Sequence, residues 1–575
     1  MEKGLKEFFF KYALQNAVRY NGKAEVSAVI GKVMQEKPEL KKEIKNIAKE
    51  ISEIVKKANS MPLAEQVSEL KSIAPEMLEE QKHEEKEAEL PELPDANGRE
   101  GKIVMRLAPF PSGALHIGNA KTYLLNAFYA ERYKAKLLLV MDDTIGSVEK
   151  QITPEAYSLI EEAFQWLDVK YEKPAIYKSD RLEIYYEYAE KLIEKDKAYA
   201  CFCSAEKLRK NREGAIDCEC RQQNAKKNLD EWRNMLKGKY KEGQAVLRIK
   251  TSMQNKNPAF RDRVLFRICN REHPRTGKKY SVWPLLEFSW AIDDHLLGIT
   301  HIIRGKDLMM ESEMCRFIWD IFKWKAPVIL HAGLVRIEGL GGVKISKSKA
   351  QQEVRKGIFK GWSDPRTWSI QSLKRRGILA ESIREFIRGI GLNENDIIVP
   401  VDILYSINRK HIETCNRCFF VAEPAKIKFL TAPDTHAEVP LHPDHPERGS
   451  RKFRTKQEFY VSGKDYEQMK KNRGIYRLMH LFNFSAENFS YHSAKMQQEL
   501  SAKLIHWLPA DRDNAKNIVK TEVMMPDGST VSGLAEEGIK NLKENDIIQF
   551  ERFGFVRLDS LNAEKNRAVF WFAHK

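Results

Sequence analysis

The chain has 575 residues, 42% of them hydrophobic and 31% charged, with 97 lysines and arginines against 81 acids for a net charge of +16. That balance excludes wholesale disorder and fibrous repeats, and no window approaches the run of about 18 apolar residues that a membrane span needs. The basic surplus points to a polyanionic partner, of which nucleic acid is the usual one.

The length predicts three or four domains. The opening MEKGLKEFFFKYALQN mixes charges of both signs and does not read as a signal peptide, so a cytoplasmic setting is expected. Residues 1–95 are expected as a helical module and linker. Ile44, Ile47, Ile51 and Ile54 recur at helical spacing, and Pro91, Pro94 and Gly98 mark the linker by composition. The texture changes at residue 101. Residues 103–108 read as a buried strand, Pro109, Pro111 and Gly113 break it, and Ile117, Ala120, Leu124 and Phe128 then keep helical spacing. Residues 137–141 read as the next strand. Strand, Gly/Pro loop, helix and strand open a parallel sheet.

The expected layout is multidomain α/β plus β. A Rossmann-type parallel-sheet domain has its first half at 96–195 and its second at 286–349, where 300–304 reads as a strand. An insertion occupies 196–285, a helical region 350–398, and β-barrels 399–575, where short apolar runs are divided by Pro, Gly and Asp.

Three groups of residues carry chemistry. His116 and Gly118 stand at the first turn of the helix after the first strand, where unpaired N–H groups and the helix dipole favour phosphate oxygens. Lys344, Ser346 and Lys347, preceded by Gly339, Gly341 and Gly342, could bring two ammonium groups over a polyphosphate. Cys201 and Cys203 are separated by fourteen residues from Cys218 and Cys220, a pattern that suits tetrahedral zinc, with free thiols as the alternative. Cys415 and Cys418 form a lone pair and read as ordinary thiols.

The two polyphosphate segments lie 228 residues apart. Together they resemble the HIGH and KMSKS signatures of class I aminoacyl-tRNA synthetases. RLAPFPSGALHIGNAKTYLLNAF, AIDDHLLGITHIIRGKDL, KISKSK and GWSDPRTWSIQSLKRRGI resemble archaeal-type glutamyl-tRNA synthetases, which are similar in layout to glutaminyl enzymes. LYSINRKHI and QFERFGFVRLD resemble their anticodon-binding barrels.

The resemblance implies ATP-dependent ligation of glutamate to tRNA(Glu), with tRNA(Gln) as a further substrate to consider, through a glutamyl-adenylate. A glutaminyl enzyme and a non-catalytic tRNA-binding paralogue are the alternatives. It implies that His116, Gly118, Asn119, Lys344, Ser346 and Lys347 hold ATP with Mg2+, with His116, Lys344 and Lys347 serving the chemistry. It also implies that Arg106 faces the side-chain carboxylate, that Arg304 lies near the amino acid, and that Asp142 accepts from its ammonium. The insertion would meet the acceptor end. Phe553, Phe555 and Arg557 are candidates for the anticodon, although alternating aromatics also describe a barrel core. The tract 374–376 is a candidate for phosphate contact. A monomer is expected, and the N-terminal module could dock another protein. The chain departs from the family pattern at Phe110, Asn119, Val140, Met141, Ile145, Gly146 and Leu286.

Overall fold

The computed structural model describes residues 3–19, 22–37, 40, 44–77, 90–96, 101–147, 151–339, 347–429, 431–495 and 502–575. Met1–Glu89 and Leu90–Lys575 are two compact units. The first contains the helices Lys3–Arg19 (α1), Val26–Glu36 (α2), Ile44–Asn59 (α3) and Leu63–Ile73 (α4). Ile47 and Ile51 are buried beside Phe9, Leu14, Val33 and Leu70, as the three- and four-residue spacing demands of a helix with one apolar face.

The second unit opens with strands Val104–Leu107 (β1), Lys136–Met141 (β2) and Glu172–Tyr177 (β3), alternating with helices Ile117–Tyr133 (α5), Glu155–Trp166 (α6) and Leu182–Glu194 (α7). The strands pair in parallel in the order β1-β2-β3. The alternation then breaks for a four-stranded antiparallel meander of Ala198–Cys201 (β4), Val246–Ile249 (β5), Val264–Ile268 (β6) and Val282–Pro284 (β7). Helices Ala205–Glu213 (α8) and Ala225–Leu236 (α9) fill the long connection between β4 and β5.

The parallel pattern resumes after helix Leu286–Leu296 (α10) with His301–Gly305 (β8), helix Met309–Phe322 (α11) and Val328–Ala332 (β9). Thr300 N–H donates to Val104 O at 2.9 Å, so β8 starts beside β1 on the edge opposite β2. Chain order therefore runs outward on both sides of the β1/β8 boundary. Sheets of this kind take ligands at the carboxyl ends of the strands at that reversal.

Strand Val335–Glu338 (β10) pairs in parallel with Ile397–Pro400 (β11). Between them come helices Lys347–Arg355 (α12), Ile370–Arg376 (α13) and Ala380–Ile390 (α14). The residues after Pro400 correct the expectation of barrel strands. Val401–Ile412 is a helix (α15), because Val401, Leu404, Asn408 and Ile412 bury at three- and four-residue steps. Beyond it the chain is β-rich. A seven-membered sheet has Arg417–Cys418 at one edge and Phe420–Ala422 at the other. These are neighbouring segments of one stretch, so the sheet closes on itself and leaves no long edge. Smaller sheets between residues 425 and 509 surround a second core that includes Phe429, Phe459, Phe482 and Trp507.

Two further expectations are corrected by packing. Residues 90–96, assigned to a linker by composition, are pinned to the parallel-sheet domain. Leu93 and Ala96 are buried in its core, Tyr129 Oη donates to Pro91 O at 2.8 Å, and Leu93 N–H donates to Tyr133 Oη at 3.1 Å. Arg376, a candidate for phosphate contact, is fully buried. It donates to Phe572 O, Ala573 O and Tyr405 Oη at 3.2, 2.7 and 3.0 Å. Among the described residues no helix is long and apolar enough to cross a membrane.

Arg376 thus ties α13 to the last strand of the β-rich region. Arg376→Met strands both carbonyls and should cost about 3 kcal/mol. The check is a chemical-denaturation midpoint, and a value equal to that of the parent would contradict the assignment.

Candidate functional site

The sheet edge gathers the chemistry. Arg106 and Arg304 are the last residues but one of β1 and β8, Asp142 follows β2 and Lys178 follows β3. Parallel strands place all four at the same end. Beneath them Trp290 of α10 is ringed by cations, with Arg304, Arg106 and Lys178 at 4.5, 4.9 and 5.3 Å from the centre of its indole. Such contacts are strongest away from water.

Each carboxylate here has a task. Asp294 takes both prongs of Arg106, Nε to Oδ1 and Nη2 to Oδ2 at 3.0 Å. Burial works to lower the Arg106 pKa, but Asp294 outweighs it and holds the guanidinium above its ordinary value. Asp293 receives Arg181 Nε at 2.8 Å and Tyr185 Oη at 2.6 Å. Burial pushes its carboxyl up in spite of Arg181 and Lys178. Lys178 is fully buried, 3.0 Å from Asp142 Oδ1, and donates to Ser289 Oγ at 2.9 Å.

Two groups remain unmatched. Arg304 is 4% exposed, and none of its guanidinium nitrogens has a hydrogen-bond partner among the described residues. Asp294 Oδ2 lies 3.8 Å away, and the Cys315 sulfur, whose thiol donates to Glu287 O, stands beside it. Burial pushes the Arg304 pKa down, and Arg106 adds to the push. Asp142 is 2% exposed, and its Oδ1 accepts no hydrogen bond although Lys178 lies close. Donors and an acceptor left unsatisfied out of water are costly unless a ligand completes them. The sequence reading gave the carboxylate to Arg106. In the structure Asp294 engages that fork, and the unused one belongs to Arg304.

The loop after β1 leads to α5. His116 caps the helix, its Nδ1 accepting from Asn119 N–H at 3.3 Å. A Cβ at Gly118 would lie 3.0 Å from the imidazole Cε1, so glycine lets the ring fold back over the first turn. Asn119 Oδ1 is buried without a partner, which leaves the helix start short of a donor. The loop is pinned from both sides. Asp142 N–H donates to Pro109 O at 2.9 Å, Ile370 N–H donates to Leu115 O at 2.8 Å, and His116 bridges Ser369. Gly113 has φ +148°, and a Cβ there would lie 2.2 Å from the Trp362 ring, so both conformation and space require glycine.

Lys344 and Ser346 lie outside the described residues. Of Lys347 the helix start is described and the side chain is not. The flanks of that segment reach the same loop. The Gly118 Cβ position is 3.9 Å from Val335 O at the start of β10. On the far flank Gln351 Nε2 of α12 donates to Ser112 O at 2.8 Å, and Ala350 packs with Ala114 and Trp362.

The four cysteines meet in the insertion. Cys201 ends β4, Cys218 and Cys220 lie at a tight turn, and all four sulfurs fall within 4.8 Å of one another. Cys201 Sγ and Cys218 Sγ are 3.8 Å apart. A tetrahedron with metal–sulfur bonds of about 2.3 Å has edges of about 3.8 Å. Buried Arg248 directs Nη1 at both sulfurs, 3.8 and 3.6 Å away, where its charge suits thiolates. Among the described residues Cys415 and Cys418 gather no such set.

Phe555 is corrected: it is 1% exposed and packs against His574, so it offers no face to a base. Phe553, in the turn just before that strand, is half-buried and packs against Phe420 and Phe572. Arg557 donates to Arg375 O at 3.1 Å and to Asp559 and Asn545. Period-two aromatics on a closing sheet face inward here. Among the departures, Val140 and Met141 lie in buried β2 and face opposite cores, where an unpaired arginine would be expensive. Sequence reading missed Lys178, Trp290, Asp293 and Asp294. The only signal was the acidic pair inside AIDDHLLG, which by itself names no partner.

Residues 102–414 match the family model described as tRNA synthetases class I (E and Q), catalytic domain. Residues 415–505 and 504–559 match two models described as anti-codon binding domains of the same enzymes. The chain is 42% identical to the glutamate–tRNA ligase of Pyrococcus furiosus, over 99% of its length and all of the relative's. It is 44% identical to the ligase of the same name from Thermococcus kodakarensis, with the same coverage. It is also 44% identical to that of Pyrococcus abyssi, over 98% of this chain and 99% of the relative.

The helix cap gives a direct check. His116→Ala should remove the side-chain cap on Asn119 N–H and cost about 1 kcal/mol of stability. Equilibrium denaturation reads this, and a variant as stable as the parent would show that the cap is not formed.

Proposed function

Because the chain belongs to the class I family of tRNA synthetases for glutamate and glutamine, we propose that it ligates glutamate to the 3′ end of tRNA(Glu) at the expense of ATP. The glutamate α-carboxylate attacks the α-phosphate of ATP and releases pyrophosphate. A ribose hydroxyl of the tRNA then takes the glutamyl group. Positioning and charge stabilisation do most of the work in such a reaction.

One observation carries the choice of amino acid: Arg304, buried with every donor unused. Around Trp290, Arg106 is matched by Asp294 and Lys178 by Asp142, which leaves one cation in surplus. Glutamate, a zwitterion with one further carboxylate, brings one net negative charge and cancels that surplus. Glutamine brings none and would leave a buried cation uncompensated. The guanidinium fork of Arg304 fits a carboxylate, and Asp142 Oδ1 supplies an acceptor for the substrate ammonium. Arg106 stiffens the site through Asp294.

For ATP the reading rests on the capped helix start. His116, Gly118 and Asn119 would face the phosphates, and Lys344, Ser346 and Lys347 would close from a segment whose flanks meet that loop. Magnesium would travel with the ATP. The cysteine quartet would hold a structural zinc, because four thiolates leave no open position for water. The insertion would then present a fixed surface to the acceptor end, and the β-rich region, by the family models it matches, would meet the anticodon. The proposed place of action is the cytoplasm.

Two outcomes are expected. Arg304→Ala should lower kcat/KM for glutamate at least 100-fold in ATP–pyrophosphate exchange while the KM for ATP stays within twofold. A loss shared equally by both substrates would move Arg304 out of the amino-acid site. Purified protein should carry one zinc per chain by atomic emission. Cys218→Ser should carry less than half of that and melt earlier, and a metal-free parent of full stability would refute the zinc.

A further inference from the structure

Lys178 is a buried cation to which no role has yet been given. It follows β3, shows no exposed surface, and stands beside Asp142, the carboxylate assigned to the substrate ammonium. Its Nζ lies 3.0 Å from Asp142 Oδ1 without completing a hydrogen bond there, and Ser289 Oγ fixes it from the other side at 2.9 Å. It also flanks the indole that Arg304 flanks. An ammonium arriving at Asp142 therefore meets an ammonium already present.

We infer that Lys178 shares the substrate-ammonium subsite and is a specificity-determining residue of this chain: it competes with the α-ammonium for Asp142 while favouring the carboxylates of the same molecule. The inference rests on the ligase reading above. Two like charges at one carboxylate repel, so the α-ammonium gains less at Asp142 than it would at an unshared carboxylate. Five-carbon dicarboxylates that lack the amino group are then ligands of the same pocket, held by Arg304 and Lys178. They compete with glutamate and cannot replace it.

Glutarate is the probe, used as an inhibitor of ATP–pyrophosphate exchange by the full-length protein with tRNA(Glu) present. In the parent, competitive inhibition with a Ki within tenfold of the KM for glutamate is expected. A Ki ten or more times that KM overturns the inference without recourse to any variant.

Lys178→Gln frees Asp142 for the ammonium, which helps glutamate alone, whereas any loss of carboxylate attraction affects both ligands. The ratio of the glutamate KM to the glutarate Ki should therefore fall at least fivefold, and Lys178→Arg should restore it. A role confined to structure would lower kcat or the melting temperature and leave the ratio within twofold, which also overturns the inference. Absence of exchange in the parent with either amino acid would overturn the ligase reading and this inference with it.

Discussion

A guanidinium held out of water without a hydrogen-bond partner among the described residues sets the terms for the rest of the molecule. Arg304 can be tolerated at the end of β8 only because Trp290 lends it a π face and Asp294 stands 3.8 Å away. Asp294 in turn is fixed by the two prongs of Arg106 on the neighbouring strand. Arg106, Asp294, Lys178 and Asp142 form a scaffold of two cations and two carboxylates whose charges cancel, and Arg304 is the remainder. On the proposed reading, that remainder would favour an acid over its amide.

The loop between β1 and α5 obeys a different constraint, which is space. Gly113 and Gly118 are required because Trp362 and His116 occupy the volumes that side chains would need. Trp362 belongs to a segment that runs into α13, and α13 is held by Arg376 to the carbonyls of the last strand and by Arg375 to Asp559 at 2.8 and 2.7 Å. The β-rich region and the loop over the sheet are thus joined by packed, fully bonded elements rather than by a flexible tether. Contiguity of this kind is what any energetic coupling between distant sites would need, though contiguity alone does not measure it.

The parts of this design that could be read in the sequence are those written in local code. Pro109, Pro111 and Gly113 between a strand pattern and a helix pattern announce the loop, and Cys201 to Cys220 announce a cluster, because short spacing already brings those groups together. The partners around Trp290 lie far apart in the chain. Arg106 meets Asp294 across 188 residues, and Lys178 meets Ser289 across 111. No spacing rule links them, so only the topology of the parallel sheet could reveal which charges cancel. Phe555 fails for a third reason: alternation along a strand has the same appearance whether the aromatic face looks into a barrel or out of it. Residues 90–96 carry the prolines of a tether, yet Leu93 and Ala96 are enough to bind them into the core.

The surplus charge beside Trp290 has a consequence outside the reaction. On the proposed reading, glutamate would complete the unmatched buried cation, so it would enter the folding equilibrium as well as the reaction. Occupancy of the pocket and resistance of the chain to unfolding would then rise together.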